Sequence, residues 1–452
     1  MVSWLVLAVA LFVVRYLRHL VNWISHLTFR PIPPPRVPTY FSEDVTGIIP
    51  TIDGDGHELL ETIRSMLKCR LHEVILVTID ANVKRALKTA QTFRGASIRV
   101  LSVREPNKRR QMCRAIGEVQ TKITVFADDD VIWPEKIMPW ILAPFEEPAV
   151  GGVGTSQRLK RPERPGIWSY LGAAYLERRN FDCSACLHID GGLPCLSGRT
   201  VAYRTQILQD DDFMHGFTHE TWRSFQLNAD DDNFITRWMF NHGHKIKMQY
   251  HQEAEVQTTL EDGPKYLKQC LRWVRSNWRS NLTTMFVERR TWWYVLGVVT
   301  SVRIPKILIC RRQQPWSTYA VQLTTLNAWA FTDLILFFVW WRATEGWQDQ
   351  QRTLTRGFAF FWIFVFSKTI KLWGHFIRYP EDIIYLPVTV LFGQFHGLIK
   401  VYGLLTLHET AWGSREAADT HDAFAIRMGR PPAYVLDKED DSVYANDSRI
   451  AL

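Results

Sequence analysis

Cysteine is scarce: seven in 452 residues, an odd number scattered through predicted elements. That excludes a disulfide-built scaffold and fits a polar domain in a reducing compartment. Cys183-x-x-Cys186, even with His188 and Cys195 following, lacks a complete four-ligand zinc pattern and reads as small buried thiols. Long basic runs are also missing, although Lys and Arg outnumber Asp and Glu by 54 to 46 and the pI is near 9.1. The positive balance therefore argues for anionic lipid or an anionic substrate, and no segment reads as a nucleic-acid module. A cleavable leader is not indicated either. The apolar stretch 2–14 has no charges before it and no small-residue site after it, and Arg15 and Arg18 follow. Residues 1–29 are accordingly expected to form a retained membrane anchor.

Hydrophobic residues make up 46% of the chain while its mean hydropathy is only -0.13, so any membrane segments must be segregated from a polar region. The segment 30–44 contains PIPPPRVP, whose prolines fix the backbone and remove donors, and reads as a stiff linker. From 45 onward, β-branched runs (VTGIIP, EVILVTID, SIRVLSV, KITVFADDD) alternate with helical stretches, the pattern of a doubly wound α/β sheet over 45–277 with ligands at the carboxyl ends of its strands. Residues 278–312 mix Trp, Val and Ile with Arg289, Arg290, Arg303 and Lys306, as interfacial amphipathic helices on the cytosolic side do. Within 313–409 three apolar segments reach the roughly 20 residues a bilayer span needs. Those at 316–341 and 357–377 read as spans. The third, 383–407, carries Gly393, Gln394, His396 and Lys400, and is expected to turn back or to line a polar path. The tail 410–452 is polar.

Two acidic clusters carry the chemistry. In TVFADDDVIWP, Asp128 and Asp130 lie two apart at a strand end, where an extended backbone points alternate residues the same way, so both can serve one target. Hard divalent cations prefer such oxygen ligands and bridge phosphates, which makes Mg²⁺ or Mn²⁺ the expected ion. In NADDDNFITRWMF, Asp230, Asp231 and Asp232 precede an amphipathic helix; one can cap it, and a carboxylate beside a second acid is a candidate general base. GGVGTSQ at 151–157 suits close backbone approach, and CLSGRTVAYRT at 195–205 puts a Ser197-Gly198 turn before a strand.

Gln269, Arg272 and Trp273 then spell Q-x-x-R-W, and WGSR follows at 412–415. In order and spacing the series resembles the processive family 2 glycosyltransferases: hyaluronan, chitin and cellulose synthases and related fungal polysaccharide synthases. The resemblance implies a GT-A fold, with Thr51 and Asp80 beside a uridine, Lys108 near the donor phosphates, Asp128 in the donor site and Asp130 as metal ligand. It implies Asp232 as catalytic base with Asp231 as the alternative, Arg272 and Arg415 on the diphosphate, Trp412 in a gate, and Gln269, Trp273 and Ser197 on the acceptor side. Departures occur at Arg199, Thr200 and Asn233, where hyaluronan synthases carry Pro, Leu and Arg. The expected activity is inverting transfer from a UDP-sugar to a growing polysaccharide extruded across the bilayer, with a membrane-lipid acceptor as the alternative. The expected setting is an integral membrane protein with its catalytic domain in the cytosol, at the plasma membrane in preference to the Golgi.

Overall fold

Strong β formers in successive runs build a sheet whose inner strands are buried on both faces. The computed structural model describes residues 3–288, 314–323 and 331–410. Seven strands pair: β1 (Val45–Pro50), β2 (Glu73–Ile79), β3 (Ile98–Val103), β4 (Ile123–Ala127), β5 (Val150–Thr155), β6 (Thr200–Arg204) and β7 (Lys245–Gln249), in the spatial order β7-β5-β6-β4-β1-β2-β3. β1 and β4 are buried along their whole length, which is why they read as near-continuous apolar runs without alternation. Helices α1 (His57–Leu67), α2 (Val83–Gln91) and α3 (Lys108–Ile116) follow β1, β2 and β3, so the carboxyl ends of four parallel strands share one edge. The core joins Val45, Ile49, Leu76 and Val125 on the sheet to Ile63 and Met66 of α1.

The sheet is mixed, unlike the doubly wound parallel arrangement expected. β6 runs antiparallel to both β4 and β5. The chain enters β6 from the site edge, where the Asp128 N–H donates to the Arg199 carbonyl, and so must run against β4. The glycines of β5 also have a different reason from the expected ligand approach. A Cβ at Gly152 would lie 2.9 Å from the Tyr203 ring, and one at Gly154 would lie 2.5 Å from Leu196 Cδ1, so the glycines admit the protein's own side chains.

Two compact units make up the chain. The sheet unit joins Pro31–Ser156 to Cys195–Thr259. It also contains α4 (Asp211–His219) and α5 (Asp231–Asn241). The other, helical unit takes Gln157–Pro194 and Leu260–Leu407 together with the N-terminal helix Trp4–Thr28. Residues 260–277 thus belong with the helices. The core of this unit gathers Tyr170, Tyr266, Trp278, Leu372 and Ile399 from the helices Ile167–Asp190, Lys265–Leu282 and Leu386–Leu405 and a turn at 370–372.

Among the described residues two helices are long and apolar enough to cross a membrane, Trp4–Thr28 and Pro380–Leu405. The stretch 357–377, expected to be one span, is helical but changes type along its length: an α-helix ends at Phe360, a π-helix occupies Phe361–Phe366, α-geometry returns at Ser367–Thr369, a 3₁₀ turn follows at Ile370–Leu372, and α-geometry resumes at Trp373–Arg378. The hydroxyls of Ser367 and Thr369 donate back to the Ile363 and Val365 carbonyls, competing with the helix ladder at that point. By contrast 383–407, expected to turn back or to line a polar path, contains the regular helix Leu386–Leu405 and does not turn back within it. Of 316–341, residues 324–330 lie outside the described part, as do most of the predicted interfacial helices and the tail with Trp412 and Arg415.

Candidate active site

Each acid of the Asp128–Asp130 run goes to a different partner. The residues form a turn after β4 and are not extended, so the expected same-side alternation does not apply. Asp128 Oδ1 accepts from Lys108 Nζ at 2.8 Å. Asp129 Oδ2 accepts from the Thr51 hydroxyl at 2.6 Å. Asp130 Oδ2 accepts from the hydroxyls of Thr259 at 2.8 Å and Thr258 at 3.3 Å. Recessed in the protein and facing the charge of Asp128, the Asp130 carboxyl has its pKa pushed up to about 6.

Lys108 is the hub. Asn107 caps α3 by accepting from the Arg110 N–H at 3.1 Å, which fixes Lys108 in the first helical turn. The Lys108 ammonium reaches Asp231 Oδ2 at 3.1 Å as well as Asp128. Burial would raise the Asp231 pKa, yet the adjoining Lys108 overrides it and holds this carboxyl below the usual carboxylate range. Asp232 is only half-buried. It lines one small pocket with Lys108, Asp128, Gly198 and Asp231. The two neighbouring acids, both in the lining of this pocket, therefore differ in burial and in counter-ion: Asp231 is buried on the Lys108 ammonium, and Asp232 is half-buried.

One of the three acids is expected to cap the helix, and Asp230 occupies the N-cap position of α5. Its side chain makes no capping bond and its backbone is left-handed, with φ of 65°. Such a conformation costs a non-glycine residue about 1 kcal/mol and is tolerated best by Asp and Asn. Interactions that sequence reasoning missed hold it in place. Arg109, only 1% exposed, donates to the carbonyls of Phe217 and Ala229 and to Glu220, while Asn107 donates to Asn228 at 2.8 Å. The first turn of α3 thus grips the segment leading into Asp230–Asp232. On the other side the Thr236 hydroxyl, which donates to the Asp232 carbonyl, accepts from the Leu196 N–H at 2.8 Å and ties down the Ser197-Gly198 turn.

Thr51 is 2% exposed, with its hydroxyl on Asp129 and its carbonyl accepting from Gln111 at 2.6 Å, so it supports the acidic turn from beneath. Asp80 is exposed at the carboxyl end of β2 and accepts from the Ser102 hydroxyl at 2.6 Å, leaving its second oxygen facing outward at the same edge. Ser197 is buried. Gln269, Arg272 and Trp273 lie on Lys265–Leu282 in the helical unit. There Trp273 stacks on Tyr175 at 4.3 Å and 14°, and Gln269 accepts from the Glu261 N–H. Cys183 and Cys186 are buried in Ile167–Asp190, and burial raises the Cys183 thiol to about 11.

Among the described residues no group of three or more His, Cys, Asp or Glu is placed to hold a metal. Asp130 and Asp128 nevertheless supply hard oxygens, and Asp130 is destabilised in its charged form, which a cation would relieve. The protein offers part of a ligand set of the kind that substrate phosphates complete.

A family profile described as "Glycosyltransferase like family 2" matches residues 43–276. A "Type 2 glycosyltransferase" of Zymoseptoria tritici is 59% identical over 433 residues, 96% of this chain and 88% of the relative. One of Gibberella zeae is 47% identical over 440 residues, 96% of this chain and 80% of the relative. Hyaluronan synthase 2 of Gallus gallus is 24% identical over 197 residues, 43% of this chain and 35% of that enzyme. Among solved structures, a mannosyltransferase of Pyrobaculum calidifontis, in complex with GDP-Man and Mn²⁺, has a TM-score of 0.47 at 15% identity, covering 87% of this chain and 99% of its own. With its GT-A-like mixed sheet and the acids gathered at the carboxyl edge, the chain belongs to the family 2 glycosyltransferases and uses a sugar-nucleotide donor.

Proposed function

We propose that the protein is an inverting, metal-dependent transferase that moves sugar from a UDP-sugar onto a growing polysaccharide at a membrane. The observation that carries this reading is the contrast, within one pocket lining, between Asp231, buried on Lys108, and the half-buried Asp232. Asp232 takes the proton of the acceptor hydroxyl, and that oxygen attacks the anomeric carbon as the bond to the diphosphate breaks. One displacement inverts the anomeric configuration, so an α-linked donor gives a β-linkage. Asp231 and Asp128 hold Lys108 in place near the donor phosphates. Asp80, at the end of β2, has the position from which an acid bonds a nucleoside, and Arg272 and Arg415 are assigned to the diphosphate by the family pattern.

Asp130, with Asp128 beside it, would hold Mn²⁺ or Mg²⁺. When bound, the ion neutralises charge gathering on the leaving diphosphate. Trp273 has one face covered by Tyr175, and its other face suits the apolar face of an acceptor sugar. The apolar helices Trp4–Thr28 and Pro380–Leu405 support a membrane setting in which the product is extruded, with Trp412 as part of a gate.

The test is to purify the full chain in detergent, supply each radiolabelled UDP-sugar with Mn²⁺ or Mg²⁺, and size the product. A ladder or high-molecular-weight polymer is expected. A single lipid-linked sugar would replace the polymer reading with transfer to a membrane lipid, and absence of transfer from every UDP-sugar would reject the UDP assignment.

A further inference from the structure

Charge is divided unequally between the two units. The helical unit carries 27 Lys and Arg against 12 Asp and Glu, a net +15, whereas the remainder of the chain has 27 against 34. The stretches of this unit outside the described residues, 289–313 and 324–330, contain no acid at all, so they cannot supply the missing negative charge. The excess also reaches the interior. Arg15 and Lys368 share one carboxylate, Asp333, at 3.5 and 2.5 Å. Lys371 pairs with Asp182 at 2.6 Å, and Asn22 donates to the same carboxylate. Arg18, 8% exposed, has its guanidinium on backbone carbonyls, those of Arg15 and Ala320.

Lys400 lies within electrostatic reach of Arg15, Arg18, Lys368 and Lys371, and its ammonium forms no ion pair among the described residues. Arg178, whose guanidinium donates to the Lys368 carbonyl at 3.3 Å, joins them, so six cationic side chains face two carboxylates. A second, independent feature lies among them. His19 is 4% exposed, its Nδ1 has no hydrogen-bond partner among the described residues, and four of these cations, Arg15, Arg18, Lys368 and Lys371, act on it. Burying unbalanced cations is unfavourable unless an anion joins them. The surroundings are apolar: Leu5, Val9, Val13 and Leu17 of Trp4–Thr28 and Leu391, Phe395 and Leu398 of Leu386–Leu405 are exposed.

We infer that this cluster is an anion site that takes the phosphate or diphosphate head of a lipid, with Lys400 and His19 among its ligands. An excess of positive charge over two carboxylates matches a phosphate or diphosphate better than a single carboxylate, and the exposed apolar faces match acyl or isoprenoid chains. The inference uses the membrane reading of the two apolar helices and is independent of the polymer reading.

The test is native mass spectrometry of the full chain from a neutral detergent. Phosphatidic acid would be compared with phosphatidylcholine of the same acyl chains, and inorganic pyrophosphate would be offered alone. Retention of phosphatidic acid over phosphatidylcholine is expected, falling about tenfold in Lys400→Gln because one charge partner of the anion is removed. Lys400→Arg should largely restore it, and Lys84→Gln, an exposed position on α2, should leave it unchanged. Pyrophosphate binding that needs Lys400, without preference for phosphatidic acid, would assign the site to a free anion and overturn the lipid part. No preference for either anion would overturn the inference outright. If Lys400→Gln fails to fold, the wild-type comparison of the two lipids decides alone. A chain that stays with membranes yet shows no anion preference would sink this inference and leave the membrane reading standing.

Discussion

The sheet unit and the helical unit solve opposite electrostatic problems. In the sheet unit acids converge on the carboxyl edge of parallel strands, and one lysine, Lys108, separates Asp128 from Asp231. In the helical unit cations converge and two aspartates, Asp333 and Asp182, separate them. The lesson is that the fixed counter-ion marks what each region leaves over: an acidic edge suited to a cation and a proton, and a basic interior suited to an anion. The polar ties also differ. In the sheet unit they hold the segment that leads into the site acids, as Arg109 does through the carbonyls of Phe217 in α4 and of Ala229. In the helical unit they staple helices to one another, as Tyr170 does to Thr389.

Breaking the first half of the comparison should have the largest effect. Asp232→Asn should lower turnover by about a thousandfold with UDP affinity unchanged, because a general base is removed and the donor contacts remain. Asp231→Asn should instead weaken donor binding and stability by loosening Lys108. Turnover and UDP titration of the two variants check this, and equal behaviour would erase the distinction between the acids.

In the helical unit the corresponding break is Asp382→Ala. Asp382 is 2% exposed, accepts two bonds from Arg161 at 2.7 and 3.0 Å and contacts His375 at 2.8 Å. Its loss strands a shielded guanidinium and should cost about 3 kcal/mol, read as a lowered thermal midpoint in detergent. A smaller effect is expected for Thr259→Val, which removes the shorter hydroxyl bond to Asp130. Such supporting contacts change metal affinity by roughly 10-fold or more, and Mn²⁺ titration reads the change. Smallest is Trp273→Ala, expected to raise the acceptor KM about fivefold through a lost stacking face worth about 1 kcal/mol, while Trp273→Phe keeps much of the affinity.

Much of the sheet was legible because its signal is local. VTGIIP and KITVFA announce buried parallel strands by β-branching and unbroken apolarity, and the acids after them follow from where such strands end. The antiparallel course of β6 was not legible, since it depends on where the chain returns after the 157–194 excursion. Nor were the partners of the acids: Thr259 meets Asp130 from 129 residues away. The glycines of β5 are read correctly only once Tyr203 and Leu196 are seen packed against them. In the helical unit apolar content identified helices but not their regularity. The π-helical stretch Phe361–Phe366 lies where the Ser367 and Thr369 hydroxyls bond back to the Ile363 and Val365 carbonyls, a feature hydropathy does not register.

The most direct test of the central claim, that the acidic edge of the sheet unit is a metal-dependent nucleotide site, is calorimetric titration of UDP into wild type and Asp130→Asn, each with and without Mn²⁺. The account predicts tight binding only for wild type with Mn²⁺. Equal, metal-independent binding by both proteins would contradict it.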